Sequence, residues 1–325
     1  MAPAVDVERE GESVAVRVGG EPFTAYRHGD PELAKPVLFP VVAPSGDPVT
    51  RGYPLDPRPE DRRDHPHQVG VWLAYGDVNG IDFWNASDET PAWRDDVGTI
   101  AHRGIEGVES GDGAFAVRCV WERPDGSALL EEATRYAVRA RPGVRVIDRA
   151  TALTAVDGPV TFGDDKEGLF GLRVARRLER PVEEDLVFTD TAGEETVVRA
   201  TGDHEVTGTY RSSAGGTEWG SRAAWMALSG ALSGGEVTVA ILDHPGNPGF
   251  PTRWMARPYG LFAANPLGRA AFAPDAEPRS FAVSPDGSAT FRYRLFVAEG
   301  VTSRERLDAE HDRFADAAPA PPTGG

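Results

Sequence analysis

The chain has 325 residues, among them 37 glycines, 27 prolines and one cysteine, and carries a formal net charge of −17. That acidity serves solubility and repels phosphate backbones and anionic lipid, which disfavours nucleic-acid and membrane-surface partners. The lone cysteine excludes an internal disulfide, and no stretch approaches the roughly 18 apolar residues needed to span a bilayer.

Residues 1–6 have neither a basic start nor an apolar run, so no signal peptide is expected and the expected setting is the cytoplasm. From there a period of two dominates, the mark of strands with one buried face. It predicts strands over residues 13–18, 69–75 and 114–121. In the last of these Cys119 shares a face with Phe115, Val117 and Trp121, as a buried small apolar residue rather than a nucleophile. Thr134, Tyr136, Val138 and Ala140 alternate with Arg135 and Arg139, and similar runs cover 145–154, 223–229, 236–242 and 291–297. Asn79-Gly80, Pro124-Asp125-Gly126, Arg141-Pro142-Gly143 and Pro285-Asp286-Gly287 mark turns between them. One helix is expected near the C-terminus, with Thr302 as its cap, Glu305 returning to that cap, and Leu307, His311 and Phe314 on one face. The Ala- and Pro-rich tail, 317–325, should fray.

Many strands joined by short turns predict an all-β fold, an antiparallel two-sheet sandwich with a C-terminal helix. At this length the large sandwich of mutarotase-like proteins fits better than a small immunoglobulin-like domain, an analogy of fold that carries no function. With no internal repeat and no linker, residues 1–325 read as a single domain.

Three segments could carry chemistry. In Asp64-His65-Pro66-His67, Pro66 pushes His65 out of helical angles towards an extended conformation. Extended residues i and i+2 point the same way, so His65 and His67 can converge on one metal ion or one substrate, with Asp64 orienting a ring. The alternative is a pair of structural histidines bonded to loop backbone. A third metal ligand must come from elsewhere; His102 is the candidate. The second segment, 243–262, is stiffened by proline and offers His244, Asn247, Trp254, Arg257 and Tyr259 for binding a hydroxyl-rich or carboxylate ligand. Otherwise it is a packed loop anchored by Trp254. In the third, Lys166 and Glu167 precede an apolar strand and are catalytic candidates, but adjacent extended residues face opposite ways, so one of the two is expected in a pocket. Arg173, inside that apolar run, is either an ion-pair arginine or an anion clamp. Gly76–Asp82 has the wrong spacing for a calcium loop. No Gly-x-Gly-x-x-Gly, P-loop, His-Glu-x-x-His or Gly-x-Ser-x-Gly motif is present, so no nucleotide cofactor is expected.

The stretch from Arg63-Asp64-His65-Pro66-His67 to Trp84, that from Lys166-Glu167-Gly168 to Arg173, and that from His244 to Gly268 together resemble a bacterial family of unknown function commonly labelled methane oxygenase PmoA-like. The resemblance runs from about Pro36 to Val297 and departs from the family pattern at Gln68-Val69 and at Met255. Methane oxidation by a membrane subunit does not suit a chain without a spanning segment. What the resemblance implies is a carbohydrate-related role beside sugar-catabolic oxidoreductases. The leading expectation is therefore an enzyme using histidine acid–base chemistry on a sugar or sugar-derived acid. The rivals are an oxygenase or hydrolase dependent on a divalent metal held by His65 and His67 with His102 or His244, and a non-catalytic sugar-binding protein.

Overall fold

Alternating apolar and polar residues settle most of this chain into antiparallel strands, and the computed structural model describes them over residues 2–322 except 91, 92, 190–194, 202–205, 217, 274, 318 and 319. The strands of the first third are β1 (Val5–Glu10), β2 (Ser13–Val18), β3 (Glu21–Arg27), β4 (Val37–Leu38), β5 (Val71–Tyr75), β6 (Thr99–Glu109) and β7 (Ala114–Glu122). Then come β8 (Ala128–Arg141), β9 (Val144–Ala155), β10 (Val160–Phe162), β11 (Gly168–Arg173), β12 (Leu186–Thr189), β13 (Glu195–Val198) and β14 (Thr209–Ser212). The last are β15 (Trp219–Arg222), β16 (Trp225–Leu232), β17 (Gly235–Asp243), β18 (Arg253–Ala256), β19 (Leu261–Asn265), β20 (Phe281–Val283) and β21 (Ser288–Glu299), followed by helix α1 (Arg304–Ala317).

Two large antiparallel sheets form the expected all-β sandwich. One has nine strands in the order β1-β2-β3-β4-β5-β11-β19-β18-β15, the other eight in the order β14-β16-β17-β21-β9-β8-β7-β6. The pairs β10–β20 and β12–β13 stand apart as small ribbons. One continuous apolar core, running from Val7 to Val297, fills the space between the sheets. Cys119 lies in it, buried, with its Sγ 3.5 Å from Tyr26 Oη.

Helix α1 covers the outer face of the eight-stranded sheet, where Leu307 and Phe314 pack on Val144, Val146, Trp225, Leu242 and Phe296. Each such side chain contributes about 1.5–3 kcal/mol by leaving water. The cap differs from expectation. Ser303, not Thr302, caps the helix: its Oγ accepts the Arg306 N–H at 3.3 Å and its carbonyl accepts from Leu307. Thr302 is drawn into the sheet instead, its N–H donating to Thr238 Oγ1 at 2.9 Å. Of the tail expected to fray, residues 318, 319 and 323–325 lie outside the described residues. None of the described helices is long and apolar enough to cross a membrane.

Candidate functional site

The site grows on the outward face of the nine-stranded sheet. On β11, Phe170 stacks on Tyr293 of β21, ring centroids 4.9 Å apart, and so faces the second sheet. Alternation turns Gly171 and Arg173 the other way. Register places Trp72, Ala263, Met255 and Trp219 in one cross-strand row with Gly171. Glycine is required there, because a Cβ at position 171 would lie 2.7 Å from Trp72 and 2.8 Å from Trp84.

A buried ionic knot holds the histidine loop over this floor. Arg51 and Arg173 both donate to Asp64 Oδ1, at 2.8 and 2.6 Å. Arg51 also donates to the carbonyls of Arg62, Asp64, His65 and Gln68. Burial alone would raise the Asp64 carboxyl, but Arg173, His65 and Arg51 outweigh it and hold it far below the usual carboxylate range. Arg173, expected among the ligand-binding residues, is fully buried, bonded to Asp64 and to Gln68 Oε1, and set over the Tyr259 ring at 4.8 Å. The ion-pair reading of this residue is the one observed.

His65 is not extended as expected. Gln68 N–H donates to its carbonyl at 3.0 Å and Arg51 takes the same oxygen, closing a turn in which His65 adopts φ 44°. Its ring still comes within 5.5 Å of the His67 ring, and it lies parallel to Tyr259 at 5.0 Å. His65 Nδ1 is 3.6 Å from Asp64 Oδ1 and 3.5 Å from Thr196 Oγ1. Burial lowers both imidazoles from their ordinary value, His67 the further, so both are neutral near pH 7. Among the described residues the buried His67 Nε2 has no hydrogen-bond partner.

Both Lys166 and Glu167 line the cleft, where one of the two was expected. The reason is local: the chain bends there instead of running extended, and Asp165 Oδ1 accepts the Glu167 N–H at 2.7 Å. Burial pushes the Glu167 carboxyl up to about 7, against a hydrogen bond donated by Asn85. Asn85 also donates to Asp82, which pairs with Arg94 at 3.0 Å. Lys166 Nζ donates to the Thr189 carbonyl at 3.2 Å. From beyond β18, Arg257 lies 3.6 Å over the Trp219 ring and 5.0 Å from that of Phe188. No carboxylate pairs with it among the described residues, and burial lowers its guanidinium from its ordinary value.

His65, Gln68, Lys166, Glu167, Arg257 and Tyr259 thus converge on one cleft, with Trp84, Met255 and Leu261 as apolar wall. Phe188 and Thr189 of the β12–β13 ribbon also line it, and its volume is about 20 Å³, room for about one water. Other expected residues lie elsewhere. His244 sits under α1, its Nε2 3.2 Å from the Ala315 carbonyl and its Nδ1 accepting from Gly246. Asn247 is engaged by Asp243 and by both backbone groups of Arg292. Trp254 is buried in the core, donating to the Ala223 carbonyl. His102, the third metal ligand considered, stacks on His28 at 3.7 Å and bonds Tyr26 on a different stretch of the sandwich. No three His, Cys, Asp or Glu side chains gather to hold a metal ion among the described residues, so the set His65, His67 and His102 is not brought together.

Residues that sequence reasoning missed include Arg51, Trp84, Asn85, Phe188 and Lys35. Lys35 is buried and donates to the carbonyls of Trp84 and Ala86 at 2.8 and 3.2 Å; burial lowers its amine to about 7. For Asn85 a signal existed, an acid and an amide bracketing an aromatic pair in Asp82-Phe83-Trp84-Asn85. Lys35 and Arg51 have no such local mark.

The profile of DUF6807, a family of unknown function, matches residues 13–312. This corrects the resemblance drawn from the sequence: the matching family is that one, and nothing supports a methane oxygenase PmoA-like assignment. No curated protein matches the chain. Among solved structures, the Slr1438 protein of Synechocystis sp. PCC 6803 has 9% identity and a TM-score of 0.39, covering 92% of this chain and 96% of that one. A galactose mutarotase-like protein from Clostridium acetobutylicum has 9% identity and a TM-score of 0.37, covering 92% and 99%. At such identity no side-chain role transfers from either.

Proposed function

Because this chain belongs to DUF6807, a family of unknown function, we propose its role from its own cleft: acid–base catalysis on a sugar or sugar-derived acid. One observation carries the reading. A buried carboxyl poised at about 7, Glu167, shares a small polar cleft with the neutral imidazole of His65 and the guanidinium of Arg257, which bonds Tyr259 and lies within electrostatic reach of Glu167. A group whose pKa sits near the working pH exists in both protonation states and can give or take a proton efficiently. His65 supplies a second carrier, with Nε2 left for the ligand while Nδ1 lies toward Asp64. Arg257 suits a carboxylate or hydroxyl pair. At about 20 Å³ the cleft must widen to admit a sugar. A one-domain chain and a cytoplasmic setting belong to the same proposal.

The test is a panel of aldoses, keto-sugars, glycosides and uronic acids incubated in D2O, with NMR following anomer exchange, deuterium incorporation and bond cleavage. Turnover is expected with at least one class, reduced roughly 10²-fold or more in Glu167→Gln. No turnover across the panel, or a Glu167→Gln variant as fast as wild type, overturns the proposal.

A further inference from the structure

A second cavity, of about 550 Å³, opens beside the candidate site, and four arginines line it: Arg222, Arg253, Arg269 and Arg279. Its size falls within the range of small-molecule sites. Arg253 stands on β18 two residues from Met255, on the same sheet face and about 6.6 Å away along the strand. Among the described residues none of the four arginines makes an ion pair. Arg222 donates only to the carbonyls of Gly249 and Phe250, each at 3.1 Å, and Arg253 to that of Gly220 at 2.9 Å. The Arg269 and Arg279 side chains make no hydrogen bond to described residues, and both are exposed. Their placement is nevertheless built. Asp164 accepts the backbone N–H groups of Arg269, Ala270, Ala271 and Arg279, at 2.7–3.2 Å, tying both ends of the loop to one carboxylate. Burial, then the like charges of Arg222 and Arg269, lower the Arg253 guanidinium from its ordinary value.

Among the described residues these four cations face one hollow without a carboxylate partner, in a chain of net charge −17 where carboxylates abound. We propose that this cavity binds a small phosphate-bearing molecule, a phosphomonoester whose organic body rests on Phe250 and Phe281. Guanidinium forks match phosphate oxygens bidentately, and a phosphomonoester carries nearly two negative charges at pH 7. The two aromatic rings line the same cavity. The acidic field of the whole chain turns away long polyanions such as nucleic acid, while a small dianion meets only the local arginines.

Calorimetry at fixed ionic strength tests this with inorganic phosphate, glucose 6-phosphate, glucose and glucuronate, alongside thermal shift. Glucose 6-phosphate is expected to bind at the arginine-lined cavity and to raise the unfolding temperature, over and above anything glucose does at the Glu167 cleft. An Arg269→Gln/Arg279→Gln variant, altered at exposed positions that leave the fold intact, should bind at least roughly tenfold more weakly, with an unchanged circular dichroism spectrum. Failure of both phosphate and glucose 6-phosphate to bind at about 10 mM overturns the proposal. So does wild-type affinity for glucose 6-phosphate in the double variant, or a loss of glucuronate binding there as large as that of the phosphomonoester.

Discussion

Replacing Gly171 with alanine tests the packing on which the cleft floor depends. On an ordinary strand the change is favourable by about 0.4–1 kcal/mol, since alanine narrows the unfolded ensemble and suits β geometry. Gly171 has no positive φ to protect it. The neighbours reverse the sign: the added carbon would sit 2.7 Å from Trp72 and 2.8 Å from Trp84, against about 3.5–4.0 Å for relaxed carbon contacts. Two indoles, both fully buried, must each retreat by roughly an ångström, and overpacking of this kind costs about 1–3 kcal/mol. Urea unfolding followed by tryptophan fluorescence should therefore show Gly171→Ala destabilised by about 1–2 kcal/mol. Trimming Trp84 to phenylalanine removes one of the two clashes, so the double variant should lose less than the sum of the singles. A Gly171→Ala protein as stable as wild type, or strictly additive effects, would refute the packing argument.

Asp64→Asn removes the anion shared by two buried arginines and should cost about 3–5 kcal/mol. Because the folded-state carboxyl is depressed, its contribution is present above the unfolded value of about 4 and disappears as pH falls towards the folded one. Acid unfolding curves of the variant should lack that limb. Glu167 has the opposite sign. Its folded pKa of about 7 lies above the unfolded value of about 4.3, so the native state holds an extra proton between them and its stability declines as pH rises through that window. Glu167→Gln should flatten that decline, measured by chemical unfolding at pH steps. Ser303→Ala should destabilise the protein by about 1 kcal/mol through the lost helix cap, while Thr302→Ser, keeping the backbone donor to Thr238, should be milder in thermal unfolding.

Strands were legible wherever one face is buried, as over Ser13–Val18 and within Val144–Ala155, because period two is imprinted by the sandwich itself. The helix was legible from Leu307 and Phe314. Its cap was not, since Thr302 and Ser303 both qualify locally and only the sheet partner, Thr238, decides between them. Within the site, proline spacing brought attention to His65, and the long loop to Arg257 and Tyr259. That these share a cleft while His244 and Asn247 do not depends on the docking of α1 on His244 and on the hold of Asp243 and Arg292 on Asn247, tertiary facts with no local signal. The turn at His65 likewise depends on Arg51, fourteen positions earlier, gathering carbonyls that a local reading assigns to water.

The Phe188–Thr189 strand also sets how binding at the cleft will look in time. At about 20 Å³ the cleft holds no sugar, so on the proposed function a wall such as Phe188–Thr189 moves first, and the observed association rate should level off at high ligand concentration at the speed of uncovering. The measured dissociation constant will then be the intrinsic one divided by the fraction of uncovered molecules. Trimming Phe188, which grips Arg257 and Tyr259 through its ring, shifts that fraction without altering a single group that faces the bound molecule from the sheet.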